Sequence, residues 1–287
     1  MRIDPHTHSN ASDGTDSPSA LMRKAASIGL DVVGLTDHDT TAGWEEASQV
    51  VGETGVRLLR GIEMSATFER RSVHILGFLF DPNSAELTAM FDQLHEARLV
   101  RLKEMVGRLK TDYPKLTWQL VNEQAASENV PVGRPHLADA FISLGYYPNR
   151  EAAFDDVLSS RSPYYVHYRA PDCVRVTRAI SAAGGVVVLA HPHSSRRSRP
   201  LAEEVLAEMV EAGLWGLEQR HREHTAADQE YVAAVAARFG LQVTGGSDYH
   251  GLGKPNQLGE NGISGEQLEA LVARGRLPLV TPTDVRR

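Results

Sequence analysis

The sequence predicts an α/β fold, a barrel-like sheet whose strands alternate with helices, and three observations carry that expectation. Short apolar, β-branched runs recur along the chain, amphipathic helical patterns lie between them, and one central stretch, about Leu94 to Arg169, offers helices and proline-bearing loops but no core strand. With 287 residues and 41% hydrophobic content, the chain can bury a full core as one large domain or as one domain with an insertion. We therefore expect a barrel made of residues 1–93 and 170–287, with a helical insertion at 94–169 covering its site.

The first strand runs into Asp4-Pro5-His6-Thr7-His8. Alternate side chains of an extended segment share a face, so Asp4, His6 and His8 are expected to project together. Ser17 reads as the N-cap of a helix from Pro18 to Gly29, and Val32 to Leu35 reads as the next strand. A helix from Thr41 to Val51 carries Glu45 and Glu46 in its first turns, and Val73 to Phe80 is β-branched and apolar enough for a strand. The longest helix of the insertion is expected at Leu94 to Lys110, where Leu102, Met105, Val106 and Leu109 form a packing face. After Ala170-Pro171 the alternation resumes at Val174. Strands are expected at Gly185 to Ala190, Trp215 to Leu217 and Leu241 to Thr244, helices at Leu201 to Ala212 and Ala226 to Phe239, and an irregular tail after Pro278.

Composition narrows the chemistry. A net charge of −7 argues against coating DNA or other long nucleic acid by bulk electrostatics, so an anionic ligand must be held locally. The single cysteine, Cys173, excludes an internal disulfide and a cysteine-based zinc site, and fits a reducing compartment. No stretch approaches the ~18 apolar residues of a membrane span, and the start of the chain lacks a cationic segment followed by an apolar run. A cytoplasmic protein is expected.

The histidines fall where strands end. His6 and His8 close the first, Asp37-His38-Asp39 follows the second, His74 lies in a later strand, His191 and His193 end another, and Asp248 and His250 follow the last. In a parallel barrel these positions converge at the carboxyl ends of the strands. His74 alone would be weak evidence, and His-x-His alone only moderate; their joint occurrence with Glu63 and Asp13 is not. So many imidazoles and carboxylates, without a thiolate, suit two or more first-row divalent ions.

The stretches "DPHTHSNASDG", "GLTDHDT", "GIEMS", "VHILGF", "AHPH" and "GGSDYH" together resemble the successive motifs of the polymerase-and-histidinol-phosphatase (PHP) family of metal-dependent phosphoesterases, from residue 1 to about 255. The resemblance implies a distorted (β/α)7 barrel and three divalent ions, manganese foremost, with iron or zinc as alternatives. It assigns His6, His8, Glu63 and Asp248 to the first ion, Glu63, His74 and His191 to the second, and Asp13, His38 and His250 to the third, with Glu63 bridging. Catalysis is then expected to depend on Asp13, Glu63 and His193. His193, without a ligand role in this scheme, is expected to hydrogen-bond the phosphate or to protonate the leaving oxygen; the plainer reading is that it supports a ligand. The family usually has Leu where this chain has Pro5, a change on the side of the strand away from the ligands.

The stretch Gly133 to Leu158, followed by "YYVHYRAP", is similar to the inserted domain of the family branch that contains 3′,5′-nucleoside bisphosphate phosphatases and 5′-to-3′ exoribonucleases. Arg134 offers a planar fork for a phosphate and His136 a second donor, expected to hold the phosphate that is not cleaved; the plainer reading is a solvated Arg134 at a helix start with Pro135 in its first turn. The implied reaction removes the 3′-phosphate of a bisphosphonucleotide such as pAp, giving AMP and phosphate, with short 5′-phosphorylated RNA as a further substrate. Histidinol phosphate is an alternative substrate, although its cationic amine would not call for Arg134 and His136. A metal- and nucleotide-binding regulator without turnover is the alternative of another class. In "EQRHREHT", Arg220, His221, Arg222 or His224 could line the pocket, or the run is a solvated loop.

Overall fold

The computed structural model describes residues 1–69, 71–125, 130–167, 169–193 and 200–284. In chain order the described elements are β1 (Ile3–Thr7), α1 (Pro18–Ser27), β2 (Val32–Leu35), α2 (Trp44–Gln49), α3 (Val51–Thr54), β3 (Arg57–Phe68), β4 (Arg71–Phe78), α4 (Ala85–Leu109), α5 (Trp118–Asn122), α6 (Arg134–Ser143), α7 (Arg150–Asp155), α8 (Cys173–Ala182), β5 (Val186–Leu189), α9 (Glu203–Glu211), β6 (Leu214–Arg220), α10 (Ala226–Phe239), β7 (Gln242–Gly245) and α11 (Gly265–Val272). Local signals set several boundaries. The Ser17 side chain accepts the Ala20 N–H ahead of Pro18, and α10 opens with a capping box between Thr225 and Asp228 and ends on left-handed Gly240.

Among the described residues seven strands form one sheet in chain order, β1 to β7. Its two edges meet through a parallel bridge between Thr7 and Tyr249, with the His8 N–H donating to Tyr249 O (2.8 Å) and the Asp248 N–H to His6 O (2.9 Å). The α/β barrel expectation holds, with one correction: the sheet is not wholly parallel. β4 runs antiparallel to both β3 and β5. β3 is not among the strands expected from the sequence, because Arg57, Arg60, Gly61, Glu63 and Ser65 interrupt its apolar residues.

Neighbouring residues of a strand enter different cores, which is why these strands read as continuous apolar runs. Val33, Leu35, Leu58 and Val187 pack with the surrounding helices, whereas Val32, Leu59, Leu76 and Val188 pack with Phe78 and with Leu268 and Leu271 of α11. Glu63 shares a face of β3 with Leu59, and His74 shares a face of β4 with Leu76. The antiparallel course of β4 is what brings its early residue His74 opposite Ser65, close to Glu63.

The central stretch has a core of its own. Leu102, Met105, Val106 and Leu109 of α4 pack with Val121, Leu137, Phe141, Ala153, Leu158 and Val166. The long helix starts at Ala85, nine residues before the expected Leu94; its first turns bury Leu87 and Met90 against the barrel core. The tail is less irregular than expected, since Val280 bridges antiparallel to Leu58. Among the described residues no helix is long and apolar enough to cross a membrane.

Candidate metal centre

Side chains from most of the strand ends meet around Glu63. Its Oε2 lies 3.3 Å from His6 Nε2, 3.1 Å from His8 Nε2 and 3.4 Å from His38 Nδ1, while its Oε1 lies 3.0 Å from both His74 Nδ1 and His191 Nε2. His250 Nε2 is 3.2 Å from Asp13 Oδ1, and Asp248 Oδ1 is 3.3 Å from His8 Nε2. All nine residues expected as ligands are therefore gathered in one place.

Among the described residues, three overlapping groups bring potential ligand atoms within 4.8 Å of one another: His6, His8, Glu63 and Asp248; His38, Glu63 and His74; and His8, Asp13, His38 and His250. The first coincides with the expected set. The third gains His8, and the middle one has His38 where His191 was expected, although His191 approaches the same Glu63 oxygen as His74. A divalent cation fits this donor set on a direct observation. Glu63 Oε2, Asp248 Oδ1, His8 Nδ1, His38 Nδ1 and His250 Nε2 are buried without a hydrogen-bond partner among the described residues, a costly state for polar atoms that an ion would relieve.

The charges are already sorted for that exchange. Burial opposes ionisation of Glu63, yet His38, His74 and His6 hold its carboxyl well below the usual range; His250 and His38 do the same for Asp13, and Lys254 and His250 for Asp248. Burial likewise opposes charge on His8, but the Asp248 and Glu63 carboxylates close beside its Nε2 push it up to about 9. Burial, with the charges of His8 and Lys254, takes His250 down to about 4.

Acids outside the ligand groups hold the frame. Asp37 accepts the Ser9 N–H (2.8 Å), Ser9 Oγ–H (2.7 Å) and Ser12 Oγ–H (2.7 Å), fixing the loop that carries Asp13. Asp39 accepts the Ser65 N–H at 2.6 Å. Asp4, expected on the face of His6 and His8, instead accepts the N–H groups of Ser247 (3.1 Å) and Gly259 (2.8 Å), because the β1–β2 register shifts between Asp4 and Thr7. Burial pushes its carboxyl up to about 6, with those hydrogen bonds pulling the other way. Asp39, His191 and Asp248 have positive φ (56°, 27° and 52°), a conformation that costs side-chain-bearing residues roughly 1–3 kcal/mol and clusters at functional sites.

Sequence reasoning missed Glu218. Its Oε1 lies 2.8 Å from His6 Nδ1 and its Oε2 accepts the His191 N–H at 2.8 Å, so one buried carboxylate orients two expected ligands. The available signal was a lone acid directly after the apolar Leu214 to Leu217. His221, flagged as pocket-lining, is buried with Nε2 3.4 Å from Asp248 Oδ2.

The other expected residues lie elsewhere. His193 Nε2 is 3.2 Å from Asp228 Oδ1 on α10 and its ring is 4.8 Å from Tyr231, so it joins none of the three groups. Arg134 donates to Leu158 O (2.9 Å), with its guanidinium over Phe154 and Tyr165. His136 is buried, and its Nδ1 accepts the Gly133 N–H at 3.0 Å, which leaves the ring proton on Nε2. It lines a cavity of about 210 Å³ with Asn10, Ser12, Thr15, Asp139 and Arg150; Arg134 is not among the lining residues. This cavity joins the Asp13 loop to the central helices, and Arg150 spans the two by donating to both Asp139 oxygens and to Asp13 O (2.6 Å).

Known proteins resemble this chain along most of its length. The PHP domain profile matches residues 4–158. A 3′,5′-nucleoside bisphosphate phosphatase from Chromobacterium violaceum is 30% identical over 88% of this chain and 88% of its own. A 5′-3′ exoribonuclease from Haemophilus influenzae is 30% identical over 87% of this chain and 90% of its own. A phosphoribosyl 1,2-cyclic phosphate 1,2-diphosphodiesterase from Eggerthella lenta is 34% identical over 88% and 95%. Among solved structures, a proposed metal-dependent phosphoesterase from Bifidobacterium adolescentis superposes with a TM-score of 0.92 at 44% identity, covering 95% of this chain and 96% of that one. With a histidine- and carboxylate-lined site at the strand ends and this breadth of similarity, the chain belongs to the PHP family of metal-dependent phosphoric ester hydrolases.

Proposed function

We propose that the protein removes the 3′-phosphate from 3′,5′-bisphosphonucleotides such as pAp, giving AMP and phosphate, and that short 5′-phosphorylated RNA enters the same site. The observation that carries this reading is the polar cavity at His136, which adjoins the Asp13 loop and offers a place for a second anion beside the ligand groups. The chain's relation to a bisphosphate phosphatase and to an exoribonuclease supports it.

His6, His8, Glu63 and Asp248 would hold one ion, Glu63 with His74, His191 and His38 a second, and Asp13, His38 and His250 a third, manganese being the expected metal. Divalent cations held there acidify water and neutralise charge on the phosphoryl oxygens. The chain's own part is to place those charges. Glu63 offers one oxygen to each of two imidazole sets, Glu218 fixes the His6 ring, and His136 presents its Nε2–H to the phosphate that is retained. Arg134 serves this reading through the insertion, where it holds the Leu158 carbonyl and stacks on Phe154 and Tyr165. His193, paired to Asp228, would reach a leaving oxygen only by giving up that pair.

The test compares kcat/KM for pAp, adenosine 3′-phosphate, AMP, 5′-phosphorylated oligoribonucleotides and phosphoribosyl 1,2-cyclic phosphate in manganese. pAp is expected to rank first. A hydrogen bond to a charged group contributes roughly 1.5–3 kcal/mol, so His136→Ala should lower kcat/KM on pAp by about 10- to 100-fold and leave adenosine 3′-phosphate nearly unchanged. Preference for the cyclic phosphate, or equal losses on the two nucleotides, would overturn the bisphosphate reading.

A further inference from the structure

One cationic side chain reaches from the central helices to the frame of the ligand cluster. Arg98, on α4, donates through Nη2 to Asp39 Oδ2 and to Ser65 Oγ (2.6 Å). Asp39 accepts the Ser65 N–H on its other oxygen at 2.6 Å, so Arg98, Asp39 and Ser65 form a closed triangle with side-chain exposures of only 14% for Arg98 and 1% for Asp39. The triangle ties the loop after β2 to the middle of β3. Asp39 directly follows His38, and Ser65 lies two residues past Glu63 on the same face of the strand. The backbone repeats the tie: His38 bridges Glu63 in parallel, the Asp39 N–H donates to Glu63 O (3.1 Å), and the Glu63 N–H donates to Asp37 O (3.2 Å). Asp39 also holds φ at 56°, a conformation that its side-chain partners must stabilise.

We infer that Arg98 is a positioning residue for the metal centre, holding Asp39 against Ser65 and thereby fixing the spacing between His38 and Glu63. The inference rests on reading the cluster as a metal site. It names one physical link by which the central helices act on that site. The group most dependent on this spacing is His38, Glu63 and His74; His6, His8 and Asp248 are held through Glu218 and the β1–β7 closure instead. Loss of a partner that orients ligands typically costs 10- to 100-fold in metal affinity or activity.

The experiment is equilibrium dialysis of the full chain with Mn2+, with bound metal counted per chain, for wild type, Arg98→Ala, Arg98→Lys and Arg108→Ala. Arg108 lies on the same helix and bonds Glu104 and Tyr165 O, away from the cluster, so it controls for loosened packing of the helices. The expected result is a roughly 10- to 100-fold weakening of one class of site in Arg98→Ala, partial recovery in Arg98→Lys, and unchanged binding in Arg108→Ala. Activity of Arg98→Ala should return towards wild type at saturating Mn2+ with an unaltered substrate KM, which separates positioning from direct substrate contact. Wild-type metal affinity in Arg98→Ala, or an equal loss in Arg108→Ala, would overturn the inference. Absence of metal binding in the wild type would overturn the metal reading itself, so the two failures are distinguishable.

Discussion

Glu63 is the residue on which the cluster turns, because its two oxygens face different partners: Oε2 meets His6, His8 and His38, and Oε1 meets His74 and His191. Only a carboxylate at this position presents two equivalent anionic oxygens. Glu63→Ala should therefore lower bound metal by more than one equivalent per chain and abolish turnover, whereas Asp13→Ala, which touches one group, should lose about one equivalent. Elemental analysis of purified protein decides this, and undiminished metal in Glu63→Ala would defeat the bridging assignment. That these histidines and acids gather in one cluster was legible in the sequence for most of them because they sit in or just past strands that the apolar runs mark, whereas Glu63 stood out by its motif and not by its strand. His193 was not legible in the same way. The i, i+2 rule holds on extended chain, but β5 ends at Leu189 and His191 turns at φ 27°, which frees the His193 ring to meet Asp228.

Elements whose patterns were simple were read close to their true bounds, such as α1 behind Ser17 and α10 behind Thr225. β3 escaped because its inward face changes chemistry along its length, from Leu59 through Gly61 to Glu63, and no single period describes it. Its reversal into β4 escaped for a different reason: strand direction is a property of the pairing and is not written in either strand. Between β7 and Asp248, glycine is required by space. A Cβ at Gly246 would lie 2.3 Å from His6 Cβ and 2.8 Å from Glu218 Oε1, inside the contact that orients His6. Gly246→Ala should displace the His6–Glu218 pair and weaken metal binding by roughly 10- to 100-fold, read by equilibrium dialysis with Mn2+. Wild-type affinity in the variant would show that the pair does not set the position of His6.

At the scale of the whole molecule, protons and metal ions compete for one buried cluster, and the direction of that competition follows from His8. In the metal-free protein Asp248 and Glu63 outweigh burial and raise His8 to about 9, so it carries a proton at neutral pH that an ion must displace. Because the folded value lies above the unfolded value of about 6.5, the protonated pair stabilises the metal-free fold fully below that unfolded value, and this contribution is lost as pH rises through about 9. Metal stabilises the folded state by mass action, and its affinity grows as the competing proton becomes easier to remove. The rise in thermal midpoint between EDTA-treated and Mn2+-loaded protein should therefore be larger at pH 8 than at pH 6. Titration calorimetry of Mn2+ binding in two buffers of different ionisation enthalpy should show net proton release at neutral pH. Equal thermal increments at the two pH values, together with a binding heat independent of buffer, would mean that the cluster is already deprotonated before metal arrives and that the ion pairs around His8 do not survive in solution.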